Sequence, residues 1–564
     1  MTAQVTKAKA AIANPWWVIA LICIPVFIGS LDLTIVSAFL PELIVDLEIP
    51  LQTGLDDAAW ILSAYLLAYT ISLAVMGRIS DLVGRRSVFV VCLVIFIIGS
   101  ILVAEAHLFP TDILYGIYRR LGQRPDLPYV NFQAIILGRV VQALGAGALV
   151  PVALALVGDL FPPDRRARPL GLIGAVDTLG WVLGHLYGGI FVQVIPWQGL
   201  FWVNVPLSLL AMFATLYALR GVPQRKAVGR FDLLGAGLLI GALIGLNIGL
   251  GANIEVSAAT SLDSLKPLPD YALPLLGSAG VFFLLFILVE TRVRDPLIDL
   301  RMFRNRNVSA GALTNLFVGY CLFIGLVIVP ILVNVRQEVS MDGVGGALRD
   351  AALQTGLLLS ALTIPMAMAA IPGGWLSERI GNRNTTVIGL SLALVGFILI
   401  RLTWTLTISD PAIIGQMVLI GVGLGLTFSP ISGAVINAVR DDERGVASAL
   451  VIVLRLIGMT LSVSSLTTFA LQRVTVTVAG ELGSAALDPL QYPEVYARVT
   501  VGVLGELGLI GAVLCGVALI PALLMTRGSF LEGAIPQLGD DKMAQNGYSE
   551  RVQEGVYPSE ITQK

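Results

Sequence analysis

Two side chains of opposite charge stand in the middle of long apolar runs. Asp177 lies in AVDTLGWVLGHLYGGIF (175–191), and Arg455 lies in ASALVIVLRLIGMTLSV (447–463). An ionisable group inside a membrane costs about 2.5–3.5 kcal/mol or more unless it faces a partner or a water-filled cavity. An arginine stands eleven residues before each charge and a glycine three residues after it, at Arg166, Gly180, Arg444 and Gly458. We therefore interpret the two charges as equivalent positions of a repeated unit, which favours a membrane transporter.

The acidic residues inside apolar runs are candidates for proton exchange. Asp32 lies in mid-run, and burial disfavours the charged form of a carboxyl group, so Asp32 could take up and release protons. The alternative is a structural hydrogen bond to a neighbouring helix. Asp177 and Arg455 could pair in one state and separate in another, which would couple protonation of Asp177 to the change of state. The alternative is a permanent salt bridge that fixes helix packing.

Three further polar residues are candidates for the central cavity or for proton transfer. Arg139 keeps its charge at any relevant pH, so it can only favour the charged form of a nearby acid, or anchor its helix at the membrane surface. His185 is a candidate proton relay, and a packed, hydrogen-bonded histidine is the alternative. Glu506 is a candidate for the central cavity, and a carboxylate at the outer interface is the alternative.

The composition of the chain predicts membrane-spanning helices, which would position these charges in the bilayer. The chain of 564 residues is 56% hydrophobic and 13% charged. Apolar runs of about 20 residues, long enough to cross a bilayer, recur along it. We predict about fourteen transmembrane helices in an all-α integral membrane protein. The four cysteines all lie in apolar runs without a C-x-x-C pattern, so we expect neither disulfides nor a metal site.

The distribution of charge predicts sidedness and domains. Most lysines and arginines fall in alternate loops, which places both termini in the cytoplasm and the protein in the plasma membrane. The long segment at about 105–130 is an exception, because it carries arginines on the predicted outer side. The predicted domains are a cytoplasmic N-terminus (1–14), a six-helix bundle (15–220), two inserted helices with linkers (221–307), a second six-helix bundle (308–526) and a disordered cytoplasmic tail (527–564).

Two of the predicted inner loops share a motif, and we refer to them as the paired loops. The first reads Gly77-x-x-x-Asp81-x-x-Gly84-Arg85-Arg86, and the second reads Gly374-x-x-x-Glu378-x-x-Gly381-x-Arg383. Both join the second and third helices of a six-helix block. The positive-inside rule explains the arginines, whereas it does not explain the repeated carboxylate.

These motifs resemble the major facilitator superfamily, and within it the fourteen-span drug:proton antiporter group. The resemblance covers about residues 15 to 526 and is carried by GRISDLVGRRS (77–87), LDLTIVSAFLPEL (31–43), LGRVVQALGAGALVP (137–151), WQGLFWVNVP (197–206) and PLIDLRMFRNRN (296–307). It implies two pseudo-symmetric six-helix bundles with two extra central helices. It also implies that Arg139 takes part in proton transfer, and that Asp81 and Glu378 pair with neighbouring helix ends to lock the outward-facing state.

One departure from the group's pattern bears on the substrate. The fifth-span motif of the antiporters has a proline where this chain has His185. Charged residues in both the fifth and the eleventh span are similar instead to the mycobacterial lipid exporters of this superfamily. The segment at about 471–498 could extend two helices beyond the outer face, which also favours a lipid substrate.

The sequence therefore predicts a proton-coupled exporter of hydrophobic or amphipathic compounds that works by alternating access. The alternative is an exporter of lipids or lipid-linked molecules. No G-x-x-x-x-G-K-[ST] motif, nucleophile–base pair or metal cluster is present in the sequence, so we expect no enzymatic activity and no cofactor. A channel should show rings of polar residues rather than scattered charges. The expected partners are substrate, protons and membrane lipids, not nucleic acid, and we expect a monomer.

Overall fold

A computed structural model describes residues 14–47, 60–191, 194–224, 226–250, 271–339, 347–482 and 493–526. These residues are mainly α-helical. The helices of the first half are α1 (Pro15–Asp46), α2 (Trp60–Val83), α3 (Arg85–Ala104), α4 (Phe109–Arg120), α5 (Leu127–Ala146), α6 (Leu149–Leu160), α7 (Ala167–Phe191) and α8 (Trp197–Ala218). The remainder are α9 (Leu233–Gly249), α10 (Ala272–Glu290), α11 (Arg306–Val339), α12 (Ala347–Ile380), α13 (Asn382–Thr403), α14 (Asp410–Ile436), α15 (Arg444–Leu482) and α16 (Pro493–Leu524).

The apolar runs of the sequence become membrane spans. Within the described residues, 12 helical segments are long and apolar enough to cross a bilayer, with α5 and α6 together forming one of them. Helix α9 is a shorter apolar helix, and α7 has 25 residues. In a bilayer the backbone N–H and C=O groups must bond within their own segment, which is why these runs fold as helices.

The packing of the helices repeats between two halves. In the first half α1 packs on α7 and α8, α2 on α5, and α3 on α5 and α8. In the second half α11 packs on α15 and α16, α12 on α14, and α13 on α14 and α16. Counting α5 and α6 as one span, both halves follow the same order of partners. The predicted all-α architecture of two pseudo-symmetric six-helix bundles is confirmed.

Contacts between the halves follow the same symmetry. The fifth span of each half, α7 or α15, packs against the second span of the other half, α12 or α2. Helices α9 and α10, which lie between the halves in sequence, pack on each other, and α9 also contacts α2. Asp177 on α7 and Arg455 on α15 therefore lie on helices at the boundary between the halves.

The two segments that the sequence predicted on the outer side contain helices where the structure describes them. The segment at 105–130 contains α4, and the segment at 471–498 contains the last turns of α15 and the first turns of α16. The predicted tail (527–564) lies outside the described residues, as do residues 1–13 of the N-terminus.

Candidate functional site

Asp177 and Arg455 meet across the boundary between the halves. Asp177 Oδ2 of α7 lies 3.3 Å from a guanidinium nitrogen of Arg455 on α15. Ser30 on α1 donates a 2.7 Å hydrogen bond to Asp177 Oδ1. The guanidinium carbon of Arg455 also lies 4.8 Å from the centre of the Phe428 ring, within the range of a cation–π contact. The ion pair therefore links the two halves directly.

This pair lines a small cavity between the halves, to which both halves contribute side chains. The other polar lining residues are Asn315 and Ser432, and Asn315 donates a 2.5 Å hydrogen bond to the carbonyl oxygen of Val451. The remaining lining residues are glycine or hydrophobic: Val150, Leu154, Leu170, Ile173, Gly174, Phe428, Val451 and Ile452. The lining is therefore mostly apolar, and the Asp177–Arg455 ion pair is its charged feature.

A second polar cluster lies inside the first half around Asp32, which is fully buried. Arg139, also fully buried, donates to Asp32 Oδ2 at 2.7 Å. Gln142 and Asn204 donate to the other carboxylate oxygen at 2.9 and 2.7 Å. The Arg139 guanidinium stacks over Tyr65, 3.8 Å from the ring centre. The sequence predicted Asp32 and Arg139 as site residues, whereas Gln142, Asn204 and Tyr65 were missed, because uncharged polar residues are common in such helices.

Helix α1 joins the two clusters. Ser30, which bonds Asp177, and Asp32, which bonds the second cluster, are two residues apart and point to different sides of the helix. Thr34 donates a further 2.8 Å hydrogen bond to the carbonyl oxygen of Trp181 on α7. Helix α1 therefore contacts α7 through Ser30 and Thr34 and holds Asp32 in the second cluster.

The carboxylates of the paired loops contact the first turns of helices in the opposite half. Asp81 accepts hydrogen bonds from the backbone N–H groups of Gly445 and Val446, at 2.9 and 3.1 Å, at the start of α15. Glu378 accepts from the backbone N–H of Arg168 at 3.3 Å, at the start of α7, and pairs with its side chain at 2.6 Å. Free N–H groups and the positive end of the helix dipole favour a carboxylate at both places.

The first glycine of each paired loop permits this contact. A Cβ atom added to Gly77 would lie 2.7 Å from the carbonyl oxygen of Gly445. A Cβ atom added to Gly374 would lie 2.4 Å from the carbonyl oxygen of Ala167. Both distances are too short for a real side chain, so the two helix crossings require glycine at the contact.

The later residues of the paired loops turn the chain between helices. Gly84 and Gly381 have φ angles of +106° and +86°, in the region that favours glycine. Arg86 donates its backbone N–H to Gln224 Oε1 at 2.9 Å. The side chain of Arg383 is half-buried at the start of α13. These two arginines do not share the helix-end contacts of the carboxylates.

Asp159 also takes part in the ionic contacts at the first of the paired loops, although the sequence did not predict it as a site residue. It bridges Arg85, at 3.3 Å, and Arg444 of the other half, at 3.0 Å. Arg85 in turn lies 2.5 Å from Asp81. The signal in the sequence is a single acidic residue that ends the apolar run of α6. It carried no motif that distinguished it from a loop residue.

The other predicted site residues lie elsewhere. Glu506 pairs with Arg473 at 2.9 Å between α16 and α15, where both side chains are partly exposed. It is not among the residues that line the cavity. His185 lies in α7, and its side chain is outside the described part of the structure. Within the described residues, no group of His, Cys, Asp or Glu side chains could hold a metal ion.

Two pseudo-symmetric six-helix halves, with an ion pair in a cavity between them, define a membrane transporter rather than an enzyme. The chain belongs to the major facilitator superfamily, because the model of that family matches residues 22–463. The family and fold predicted from the sequence are therefore confirmed, as is a multi-pass membrane protein.

Several curated proteins are similar over most of their length. The triacylglyceride transporter of Mycobacterium tuberculosis (strain H37Rv) is 33% identical over 477 residues, which are 82% of this chain and 84% of that protein. A triacylglyceride transporter of Mycolicibacterium smegmatis is 30% identical over 522 residues, which are 89% of this chain and 86% of that protein.

Solved structures show the fold alone. The proton:xylose symporter XylE aligns with a TM-score of 0.53 at 12% identity and covers 88% of this chain and 94% of its own. The human organic anion transporter MFSD10 aligns with a TM-score of 0.50 at 16% identity and covers 89% of this chain and 100% of its own.

Proposed function

We propose that this protein exports a lipid or lipid-linked molecule by alternating access, driven by protons. The observation that carries the proposal is the Asp177–Arg455 ion pair, which joins the two halves at an apolar cavity. Relatives that share about a third of their residues with this chain are named triacylglyceride transporters, which supports a lipid cargo. We further propose the plasma membrane as the location, both termini in the cytoplasm, and a monomer as the working unit.

The coupling step follows from the chemistry of the pair. With Asp177 charged, its attraction to Arg455 holds α7 and α15 together. Protonation of Asp177 removes that attraction and leaves Arg455 free to move with the second half, which favours the other state. Asp32 and Arg139 are the second candidate for proton transfer, and helix α1 transmits the change between the two sites.

The long helices α15 and α16 support a lipid cargo. They have 39 and 32 residues, or roughly 58 and 48 Å at 1.5 Å per residue, against a hydrocarbon core of about 30 Å. Arg473 pairs with Glu506 at 2.9 Å, and Arg498 pairs with Glu481 at 2.5 Å, so the two helices remain together beyond mid-span. Such an extension can shield an acyl chain after it leaves the bilayer.

The test is transport in proteoliposomes with an imposed pH gradient. A fluorescent triacylglycerol and a cationic dye are offered to the wild type, to Asp177→Asn and to the control Arg401→Gln. We expect proton-driven movement of the lipid by the wild type, its loss in Asp177→Asn, and little change in Arg401→Gln, because Arg401 is exposed at the end of α13 and does not line the cavity. Dye movement without lipid movement would instead favour the drug antiporter predicted from the group motifs. Unchanged lipid transport in Asp177→Asn would reject the coupling step.

A further inference from the structure

Helix α4 joins two membrane spans at the end of the molecule opposite the paired loops. It has 12 residues and lies between the end of α3, at Ala104, and the start of α5, at Leu127. The charge bias of the loops assigns this end to the outside. Its position in the chain therefore brings α4 to the level where the outer ends of two spans leave the bilayer.

One face of α4 is fixed to the protein. Pro110 and Thr111 are buried, and Thr111 donates a 2.6 Å hydrogen bond to the carbonyl oxygen of Ala106. The hydroxyl of Tyr118 donates to Gln133 Oε1 of α5 at 2.5 Å. These contacts fix the rotation of α4 about its own axis. The directions in which its other faces point are therefore fixed as well.

A second face is an apolar stripe whose side chains are about half exposed or more in the described protein. Phe109, Ile113 and Ile117 follow one another at intervals of four residues, which places them on one side of a helix. They are 45%, 58% and 48% exposed, and Leu121 continues the stripe at 70%. Moving the exposed part of these side chains from water into a hydrocarbon environment is favourable, so this face suits lipid rather than water.

The third face and the end of the helix are charged. Asp112 and Arg119 are exposed on the side away from both other faces, and Arg120 and Arg124 follow within one turn or in the next loop. The three arginines outnumber Asp126, the acidic residue nearby, so the C-terminal end of α4 carries a net positive charge. These are the arginines whose outer location departs from the positive-inside rule.

We propose that α4 is an interfacial anchor that binds anionic phospholipid headgroups of the outer leaflet. Its apolar stripe lies at the boundary between headgroups and acyl chains, as in other amphipathic surface helices. The guanidinium groups of Arg119, Arg120 and Arg124 bind the headgroup phosphates, for which arginine geometry is well suited. The division of one helix into protein, lipid and water faces fits a membrane surface better than a docked protein. This inference does not depend on the identity of the cargo.

The first experiment locates the two free faces. Spin labels are attached to Ile113→Cys and to the matched control Asp112→Cys in liposomes, and the unsubstituted chain gives the background from its own four cysteines. We expect the label at 113 to collide mainly with oxygen and the label at 112 mainly with a water-soluble nickel chelate. Equal access of both labels to the nickel chelate would overturn the proposal. Broadening of the 113 signal by a second copy would overturn it in favour of a protein interface.

The second experiment tests the choice of headgroup. Dioleoylphosphatidylglycerol and dioleoylphosphatidylcholine are titrated into the purified protein and counted by native mass spectrometry. One basic residue near an anionic surface changes affinity by about 5-fold, so Arg119→Gln, Arg120→Gln and Arg124→Gln together should weaken one phosphatidylglycerol site by about 100-fold. The control Arg401→Gln, an exposed arginine in the last turn of α13, should change nothing. Wild-type affinity in the triple variant, or no preference of the wild type for phosphatidylglycerol, would reject the site.

Discussion

The carboxylate of Asp81 accepts the backbone N–H of Gly445 at 2.9 Å and so ties the second span of one half to the fifth span of the other. Glu378 makes the equivalent contact with Arg168, at 3.3 Å, on the other side of the pseudo-symmetry axis. Both contacts join a carboxylate to the first turn of a helix in the other half. The Asp81 contact is the stronger of the two, because Asp81 is buried, whereas the Arg168 side chain that pairs with Glu378 is half-exposed to solvent. The end of the molecule that carries the paired loops is therefore closed by one strong and one weaker contact.

Replacing Asp81 by asparagine should open this end of the transporter. Hydrogen bonds to a charged group contribute about 1.5–3 kcal/mol, so Asp81→Asn should shift the closed-to-open ratio roughly 10- to 100-fold. The distance between spin labels at Ser87→Cys and Asp442→Cys, which are exposed in opposite halves, reports the shift. Glu378→Gln should give a smaller change, and an equal or larger one would contradict the inequality of the two contacts.

Adding a methyl group at Gly77 should also open this end of the transporter, in this case because the methyl group would clash with α15. The added Cβ atom would lie 2.7 Å from the Gly445 carbonyl oxygen and 2.8 Å from Ala449 Cβ, and overpacking of this kind costs about 1–3 kcal/mol. We expect Gly77→Ala to populate the open state in the same distance measurement. Gly415→Ala is the matched control, because no heavy atom lies within 4 Å of its added Cβ atom. Equal behaviour of the two variants would show that the crossing tolerates a side chain.

Reversal of the central ion pair tests whether the contact between the halves matters. Removing one partner of a buried pair costs about 3–5 kcal/mol, so Asp177→Arg and Arg455→Asp should each lower the Tm and stop transport. The double variant restores opposite charges 3.3 Å apart and should recover most of the Tm and part of the transport. If the double variant is no better than the worse single variant, the two residues do not act as a pair.

Ser30 should act as a positioning residue for Asp177. Its hydroxyl donates to Asp177 Oδ1 at 2.7 Å, and losing a hydrogen bond to a charged group costs about 1.5–3 kcal/mol. We therefore expect Ser30→Ala to reduce proton-driven transport about 10-fold or more. Thr in its place keeps the hydroxyl and should restore transport. Ser208→Ala is the control, since this buried serine has no hydrogen-bond partner in the described residues; a loss as large in the control would remove the special role of Ser30.

The Asp32 cluster should contribute to stability as well as to proton transfer. Asp32→Asn leaves the fully buried charge of Arg139 without its counter-ion, which costs about 3–5 kcal/mol. We expect a Tm several degrees lower, measured in detergent. Glu506→Gln breaks a partly exposed pair worth about 0–1 kcal/mol and should leave the Tm nearly unchanged. A Tm in Asp32→Asn equal to that of the wild type would mean that Arg139 finds another partner.

The membrane fold follows from the sequence alone. Apolar runs of about 20 residues can satisfy their backbone groups in a bilayer only as helices, so their number and length predict the spans directly. The repeated spacing of Gly77, Asp81 and Gly84 with Gly374, Glu378 and Gly381 indicated two related halves, because a tight helix crossing and a turn each need glycine at a fixed position. Asp32 and Asp177 could be recognised as candidate site residues from the sequence alone, because a charged side chain inside the membrane is costly.

Which of these residues meet depends on how the helices pack in three dimensions. Asp177 and Arg455 are 278 residues apart in sequence, and their contact depends on how α7 and α15 are rotated and crossed. The same holds for Asn204 beside Asp32 and for Asp159 between Arg85 and Arg444, where no local spacing encodes the partner. In α4, the periodicity of the sequence shows an amphipathic helix, whereas packing on α5 decides which face remains free. Side-chain spacing fixes the faces of one helix, and the contacts between helices arise from packing of the whole chain.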